Sequence, residues 1–293
     1  MCFRKLRKNN PTAGTNPVFA KRRIPYLPSG RWLRLSVCVV SDVGRVREVN
    51  EDNYLLDGGC NTNAAAHAEV EAVVPAPACL GVFDGMGGGE AGEVASRLAA
   101  ESLCRAAGRL DGGLSTRQID EIIRRGFLEA NAAITERQKS VAMLGTTGTV
   151  VVTFGRYAKA YHLGDSRLYL LRGGELRQLT RDQTVARMKI DAGIYAADDE
   201  RVRVESHQLI DFIGSDSTME CLRPVESEWF RVLDDDTLLL CSDGLYDMCA
   251  DEEIARILNG GEGIGSTADR LVSRALENGG VDNVTCLLAR PVV

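Results

Sequence analysis

The chain has 293 residues but only three histidines, no Cys-x-x-Cys pair among its nine cysteines, and no acidic residue before position 42. It also has no apolar run near the roughly 20 residues that cross a bilayer, so no membrane span is expected. Scarce histidine and unpaired cysteine spacing argue against a structural zinc site. The odd cysteine count argues against a disulfide framework, and Cys38, Cys241 and Cys286 sit inside apolar runs. Buried, reduced thiols are the simpler reading. The N-terminus is basic but carries no continuous apolar segment of the secretory kind, so a cytoplasmic location is the expectation.

Charge is unevenly placed. Residues 1–31 hold eight Lys or Arg, which leaves 27 basic against 41 acidic side chains in the rest of the chain. An acidic body argues against nucleic acid as a partner and suits one that concentrates cations. Residues 1–33 mix Arg, Lys, Pro, Gly and Asn with little periodicity and predict a flexible basic extension. The organised body is expected over 34–293, as a monomer.

Short runs rich in Val, Leu, Tyr and Phe, bounded by Gly or Asp, predict strands at Ser36–Val40, Asn53–Leu56, Leu80–Phe83, Thr149–Phe154, Ala158–Leu163, Arg167–Leu171, Thr237–Cys241 and Asn283–Leu288. Gly173-Gly174 predicts a hairpin turn. Helical periodicity places Val94, Ala95, Leu98, Ala99 and Leu103 on one face of 91–107, and Ile119, Ile122, Ile123, Phe127, Ala130 and Ile134 on one face of 116–139. Two shorter helices are expected, one capped by Asp251 and one opened by Ser266 with Asp269. Residues 58–78 predict a surface loop, and 183–208 a polar, partly helical flap. Strands follow one another through 149–179 without intervening helices. That order predicts an α+β fold with antiparallel sheets and helices packed outside, not a doubly wound parallel sheet.

One pattern recurs. Acidic residues stand at the ends of apolar runs, usually beside Gly: Glu51-Asp52, Asp84-Gly85, Gly164-Asp165, Asp243-Gly244 and Asp282-Asn283. Any one Asp-Gly is more often a turn than a ligand. A turn, however, does not require the same residue type at the mouths of several core strands. If those mouths converge, the carboxylates repel one another unless cations intervene. Hard oxygen donors select Mg2+ or Mn2+ over zinc or copper. Two such ions about 3.5–4 Å apart can activate water for in-line attack on phosphorus. Arg47 is the candidate phosphate grip, because a guanidinium offers paired hydrogen bonds to phosphate oxygens.

The segments 41–52, Val82-Phe83-Asp84-Gly85-Met86-Gly87-Gly88, Gly145-Thr146-Thr147, His162-Leu163-Gly164-Asp165-Ser166-Arg167, Gln178-Leu179-Thr180-Arg181-Asp182, Leu240-Cys241-Ser242-Asp243-Gly244-Leu245 and Asp282-Asn283-Val284-Thr285 resemble, in order, the motifs of the metal-dependent protein phosphatases of the PPM or PP2C type, in their bacterial form. The resemblance covers about 36–290. It implies an α-β-β-α sandwich of two antiparallel sheets flanked by helices. It implies hydrolysis of phosphoserine and phosphothreonine on proteins, opposing a serine/threonine kinase and acting on that kinase's targets. By the same resemblance Asp84, Asp243 and Asp282 hold one core ion. Asp84, the Gly85 carbonyl and Glu51 hold the other, and Asp165 with Asp243 holds a possible third. Arg47 binds phosphate, while Asp52 and Asn283 support the metal shell. Two positions depart from the pattern. Met86 stands where many eukaryotic members carry a proton-donating His, and Gln183-Thr184 replaces His-Ser at the flap.

Other chemistries fit less well. No cysteine is followed by Arg six positions later, as the cysteine-dependent phosphatases need. Asp234-Asp235-Asp236-Thr237 ends wrongly for an aspartyl-phosphate motif and reads as a hairpin turn. A pseudophosphatase that binds without hydrolysing is the alternative from another class, and the intact aspartate set disfavours it. A phosphatase of a partner-switching regulator would share the chemistry and differ in substrate.

Overall fold

The computed structural model describes residues 32–57, 59–60, 67–87, 90–140, 144–215 and 222–292. The expected basic extension therefore lies outside the described residues up to position 31. Leu33 is buried, and its backbone is tied to Gly155 and Ala76. In chain order the first elements are β1 (Arg34–Asp42), β2 (Asp52–Leu56), β3 (Gly59–Cys60), β4 (His67–Pro75), β5 (Ala78–Met86), α1 (Glu90–Ala107) and α2 (Thr116–Gln138). The middle of the chain forms β6 (Gly145–Thr146), β7 (Gly148–Phe154), β8 (Tyr157–Leu163), β9 (Arg167–Arg172), β10 (Glu175–Gln178), α3 (Val185–Asp191) and α4 (Val202–Glu205). The last third forms β11 (Val225–Glu226), β12 (Phe230–Arg231), β13 (Thr237–Cys241), α5 (Asp243–Tyr246), α6 (Asp251–Leu258), α7 (Ile264–Glu277) and β14 (Val284–Pro291).

The strands form two sheets in which the described pairings are antiparallel. One has the order β10-β9-β13-β14-β1-β4. The other runs β11-β8-β7-β5-β2-β3, with β12 on β8 and β6 on β5. Alternation along each strand divides its side chains between two faces. On β1, Val37 and Val39 enter the core between the sheets, while Cys38 and Val40 face α6 and α7. On β5, Leu80 and Val82 point inward, while Cys79 and Phe83 meet α1 and α2. Three apolar layers result, and the expected α-β-β-α sandwich is the architecture.

The long helices form as their spacing predicts. Ser115 caps α2 and exchanges hydrogen bonds with Gln118, satisfying backbone donors that would otherwise be orphaned. Ile119, Ile123, Phe127, Ala130 and Ile134 then share its buried face. Gly126 lets α2 approach α1, since a Cβ there would lie 2.9 Å from that of Ala106.

Four local expectations need correction. The stretch 58–78 is not a loop where it is described: it holds β3, the nine-residue β4 and the start of β5. Glu69 and Glu71 lie exposed on an outer face of β4 while Val74 on the other face is buried, so a stretch whose Ala, Gly and Asn read as a loop is a half-buried edge strand. Asp234–Asp236 turns the chain from one sheet to the other, because β12 pairs with β8 and β13 with β9, so it is not a hairpin. Asp251 opens α6 rather than capping it, and it accepts a hydrogen bond from the Tyr169 hydroxyl at 2.9 Å. Ser266 lies inside α7, whose cap is Gly263.

Candidate metal centre and active-site cleft

The strand ends converge at one edge of the sandwich. Antiparallel register sets Asp84 at the end of β5 directly opposite Asp52 at the start of β2. Asp243 follows β13, Asp282 precedes β14, and these strands are neighbours. Asp165 lies in the turn between β8 and β9. Arg47, Glu51, Asp84, Gly85, Asp165, Asp243 and Asp282 all line one cleft of about 490 Å³. Asp52 and Asn283 lie beneath it, buried.

Hydrogen bonds hold these groups in place. The Asp84 amide donates to Thr147 Oγ1 at 2.9 Å, and the Thr147 amide returns a bond to the Asp84 carbonyl at 2.8 Å. Thr147 is in turn 2.6 Å from the Ser166 hydroxyl, beside Asp165. Ser242 donates to Asp52 Oδ2 at 2.6 Å. Asn283 shapes the loop that carries Arg47 and Glu51. Its amide group donates to the carbonyls of Val43 and Val49, and its oxygen accepts from the Glu51 amide at 2.8 Å. Gly44 turns this loop at φ +82°, close against the Asp282 backbone.

The electrostatics are those of crowded anions. Burial, then the neighbouring Asp243 and Asp52, push the Asp84 carboxyl well above the usual carboxylate range. Burial and Asp243 do the same to Asp165. Burial raises Glu51 and Asp282 as well, and Arg47 counters part of the effect. Asp52 is pushed up to about 7, burial being the main cause. Arg47 donates to Asp282 Oδ2 at 2.7 Å and lies 3.9 Å from Glu51 Oε2.

The residues fit hard divalent cations. The donors are oxygens, and the buried Glu51 Oε1 has no hydrogen-bond partner among the described residues. Space is kept open around them: a Cβ on Gly92 would lie 2.7 Å from the Glu51 carboxyl carbon, and one on Gly85 would run into Gly92. Such a cluster can bind two or more ions, activate water and grip a phosphate through Arg47.

Several lining residues were not foreseen: Thr147 as a cleft residue, and His207, Leu209 and Phe212 from the far side of the flap. The expected flap exists, built from α3 and α4 and closed at its base by the Thr184–Leu209 bridge. Gln183 anchors it: its amide donates to the Gly164 carbonyl at 2.8 Å, and its side-chain oxygen accepts from the Gly164 amide at 2.8 Å. His207 comes within 3.8 Å of Asp243 and 3.7 Å of Asp247, and those acids, Asp243 first, raise it to about 9. The four-residue spacing of Asp243 and Asp247 was a legible signal for Asp247. No local pattern marked His207. Met86 lines the cleft and offers no proton.

Residues 66–278 match a family model described as protein phosphatase 2C. The serine/threonine protein phosphatase PstP of Mycobacterium tuberculosis is 33% identical over 85% of this chain, which spans only 43% of that protein's length. The serine/threonine phosphatase stp of Listeria welshimeri is 32% identical over 85% of this chain and 92% of its own. Among solved structures, the catalytic domain of PstP in complex with two manganese ions has a TM-score of 0.70 at 32% identity. That match covers 89% of this chain and 100% of the other.

Proposed function

The chain belongs to the protein phosphatase 2C family, and on that premise we propose that residues 34–293 form a Mn2+- or Mg2+-dependent hydrolase of phosphoserine and phosphothreonine on proteins. The single observation that carries the reading is the meeting of Asp84, Asp243 and Asp282 in one cleft with Glu51, Asp165 and Arg47. When bound, divalent cations there would supply a strong nucleophile from water at neutral pH. The rest falls to the chain's own groups. Asp84, Asp243 and Asp282 would hold one ion. Glu51, Asp84 and the Gly85 carbonyl would hold a second. Asp165 with Asp243 would hold a third.

Arg47 binds the phosphate. It lines the cleft and donates to Asp282 Oδ2 at 2.7 Å. A ground-state grip of this kind acts mainly on KM. Asn283 fixes the loop that aims Arg47, and Asp52 braces the β13 end through Ser242. The exposed cleft suits phosphorylated side chains on proteins, the products of a serine/threonine kinase. No helix among the described residues is long and apolar enough to cross a membrane.

The test is phosphate release from a phosphothreonine peptide by the purified chain. Turnover is expected with Mn2+ or Mg2+, to stop with EDTA, and to leave no phosphorylated protein behind. Turnover that survives EDTA would overturn the metal assignment. Peptide binding without release would favour a binding module.

A further inference from the structure

The cysteines divide by exposure. Of the seven that are described, Cys38, Cys79, Cys241, Cys249 and Cys286 are buried, while Cys60 and Cys104 are partly exposed. Thiols buried in apolar surroundings are inert. The two that solvent reaches are also the two that face each other. Cys60 in β3 pairs with Leu55 in β2, so both side chains stand on the sheet face that α1 and α2 cover. Cys104 lies near the C-terminal end of α1, one turn after the buried Ala100 and beside Leu103, at the margin of the helix's buried face. α1 packs against β3, and the Cys60 and Cys104 thiols meet in a side-chain hydrogen bond.

Contact and access together set this pair apart from the other thiols. Burial, then Cys104 and Glu101, push the Cys60 thiol up to about 11, and Arg105 works against them. A thiol raised in this way reacts slowly at neutral pH. The pair therefore suits occasional modification rather than a standing framework bond.

We infer that Cys60 and Cys104 form a dithiol modification site, which hydrogen peroxide oxidises to a disulfide joining β3 to α1. One sulfur, as its thiolate, attacks a peroxide oxygen and breaks the O–O bond. It becomes a sulfenic acid, and the released hydroxide takes up the thiol's proton and leaves as water. The second thiol attacks that sulfur, forms the S–S bond and expels a second water. The two sulfurs together lose two electrons and two protons, and the peroxide is reduced to water. The bond closes a loop of about 44 residues, so it stabilises by restricting the unfolded chain. It lies at the far end of α1 from Gly92, which abuts the Glu51 carboxyl, and the helix between them spans roughly 18 Å. The modification clips the sheet to the helix layer without reaching the carboxylate cluster.

The test uses the full chain, reduced, freed of reductant and treated with hydrogen peroxide. Peptide mass mapping without reductant is expected to find Cys60 linked to Cys104, two hydrogens lighter than the separate thiol peptides. The melting temperature should rise by several degrees, and dithiothreitol should reverse both changes. Cys60→Ser and Cys104→Ser should each abolish the linked peptide and the thermal shift. Oxidation that joins Cys60 to Cys2 or Cys221, that links two chains, or that stops at sulfinic acid on an unbridged sulfur overturns the proposal. So does survival of both free thiols in excess peroxide. A linked peptide without a thermal shift overturns the stabilising role. None of these readouts requires turnover, so the outcome stands apart from the phosphatase reading.

Discussion

The floor of the cleft and the flap above it are built by opposite means. The floor consists of strand ends whose neighbours are fully buried, pinned by Thr147, Ser242 and Asn283 through bonds of 2.6–3.0 Å. The flap exposes Val204, Ile194 and Met188, and it is held by the Thr184–Leu209 bridge, surface ion pairs such as Arg187–Asp191, and its Gln183 anchor. Exposed ion pairs contribute little to stability. Rigid elements suit groups that must be preorganised for charge, and loosely held ones suit passage of a protein substrate. The two regions should therefore fail differently when altered: the floor in chemistry, the flap in access.

The largest effect should come from the floor. Asp243→Asn removes the carboxylate that, in the proposed assignment, a core ion and the ion nearest Asp165 would share. The loss of several kcal/mol of charge stabilisation predicts a fall in kcat of about 10²–10³-fold or more with Mn2+ present. Metal-free stability should move the other way, because Asp84, Asp165 and Asp282 lose a repelling neighbour. Thermal melts in EDTA and turnover in Mn2+ read the two effects separately. Near-normal turnover, or a lower melting temperature in EDTA, would break the assignment.

The same contrast explains what was legible in the amino-acid order. Asp84, Asp243 and Asp282 could be found because a strand end leaves a local mark: an apolar run, an acid and a glycine. Their convergence needed only the rule that neighbouring strands end together. Arg47 and Glu51 were legible through resemblance, yet their placement depends on Asn283, more than 230 positions away. The β4 strand was misread because the Ala, Gly and Asn of 58–78 read as a loop, and the weak alternation that ends in the buried Val74 did not outweigh them. His207 was missed for a different reason. It reaches Asp243 only through the fold-back of a polar flap, and no spacing along the chain encodes that path.

A smaller effect concerns pH. Asp52 in the folded floor sits at about 7, above its ordinary value of 3.8. A carboxyl raised on folding binds its proton more tightly in the native state. Its stabilisation is complete below about pH 4 and is lost as pH rises toward 7. The metal-free chain should thus lose stability across that window, on the order of a few kcal/mol from this group at most. Asp52→Asn, studied by urea unfolding in EDTA at pH 5 and pH 8, should shrink the difference. The flap has the opposite case. Asp199 is lowered to about 2 by its bonds to Arg201, fully exposed to screening, and Asp199→Asn should leave the pH profile unchanged. Equal slopes in wild type and Asp52→Asn would remove Asp52 as a source.

The smallest effect tests the hinge between the two regions. Gln183 touches both: its side chain accepts the Gly164 amide, one residue from Asp165, and its backbone begins the flap. Gln183→Ala deletes one hydrogen bond, while the Gln183 amide still donates to the Gly164 carbonyl at 2.8 Å. Stability should fall by about 1–3 kcal/mol, because the buried Gly164 amide loses its side-chain acceptor. If floor and flap are mechanically separate, the loosened anchor should raise KM for a phosphoprotein a few-fold and leave kcat alone. It should also leave KM for a small phosphate ester unchanged, because that substrate needs no flap. A drop in kcat on both substrates would mean that Gln183 positions Asp165, which makes the flap part of the floor and dissolves the distinction drawn between them.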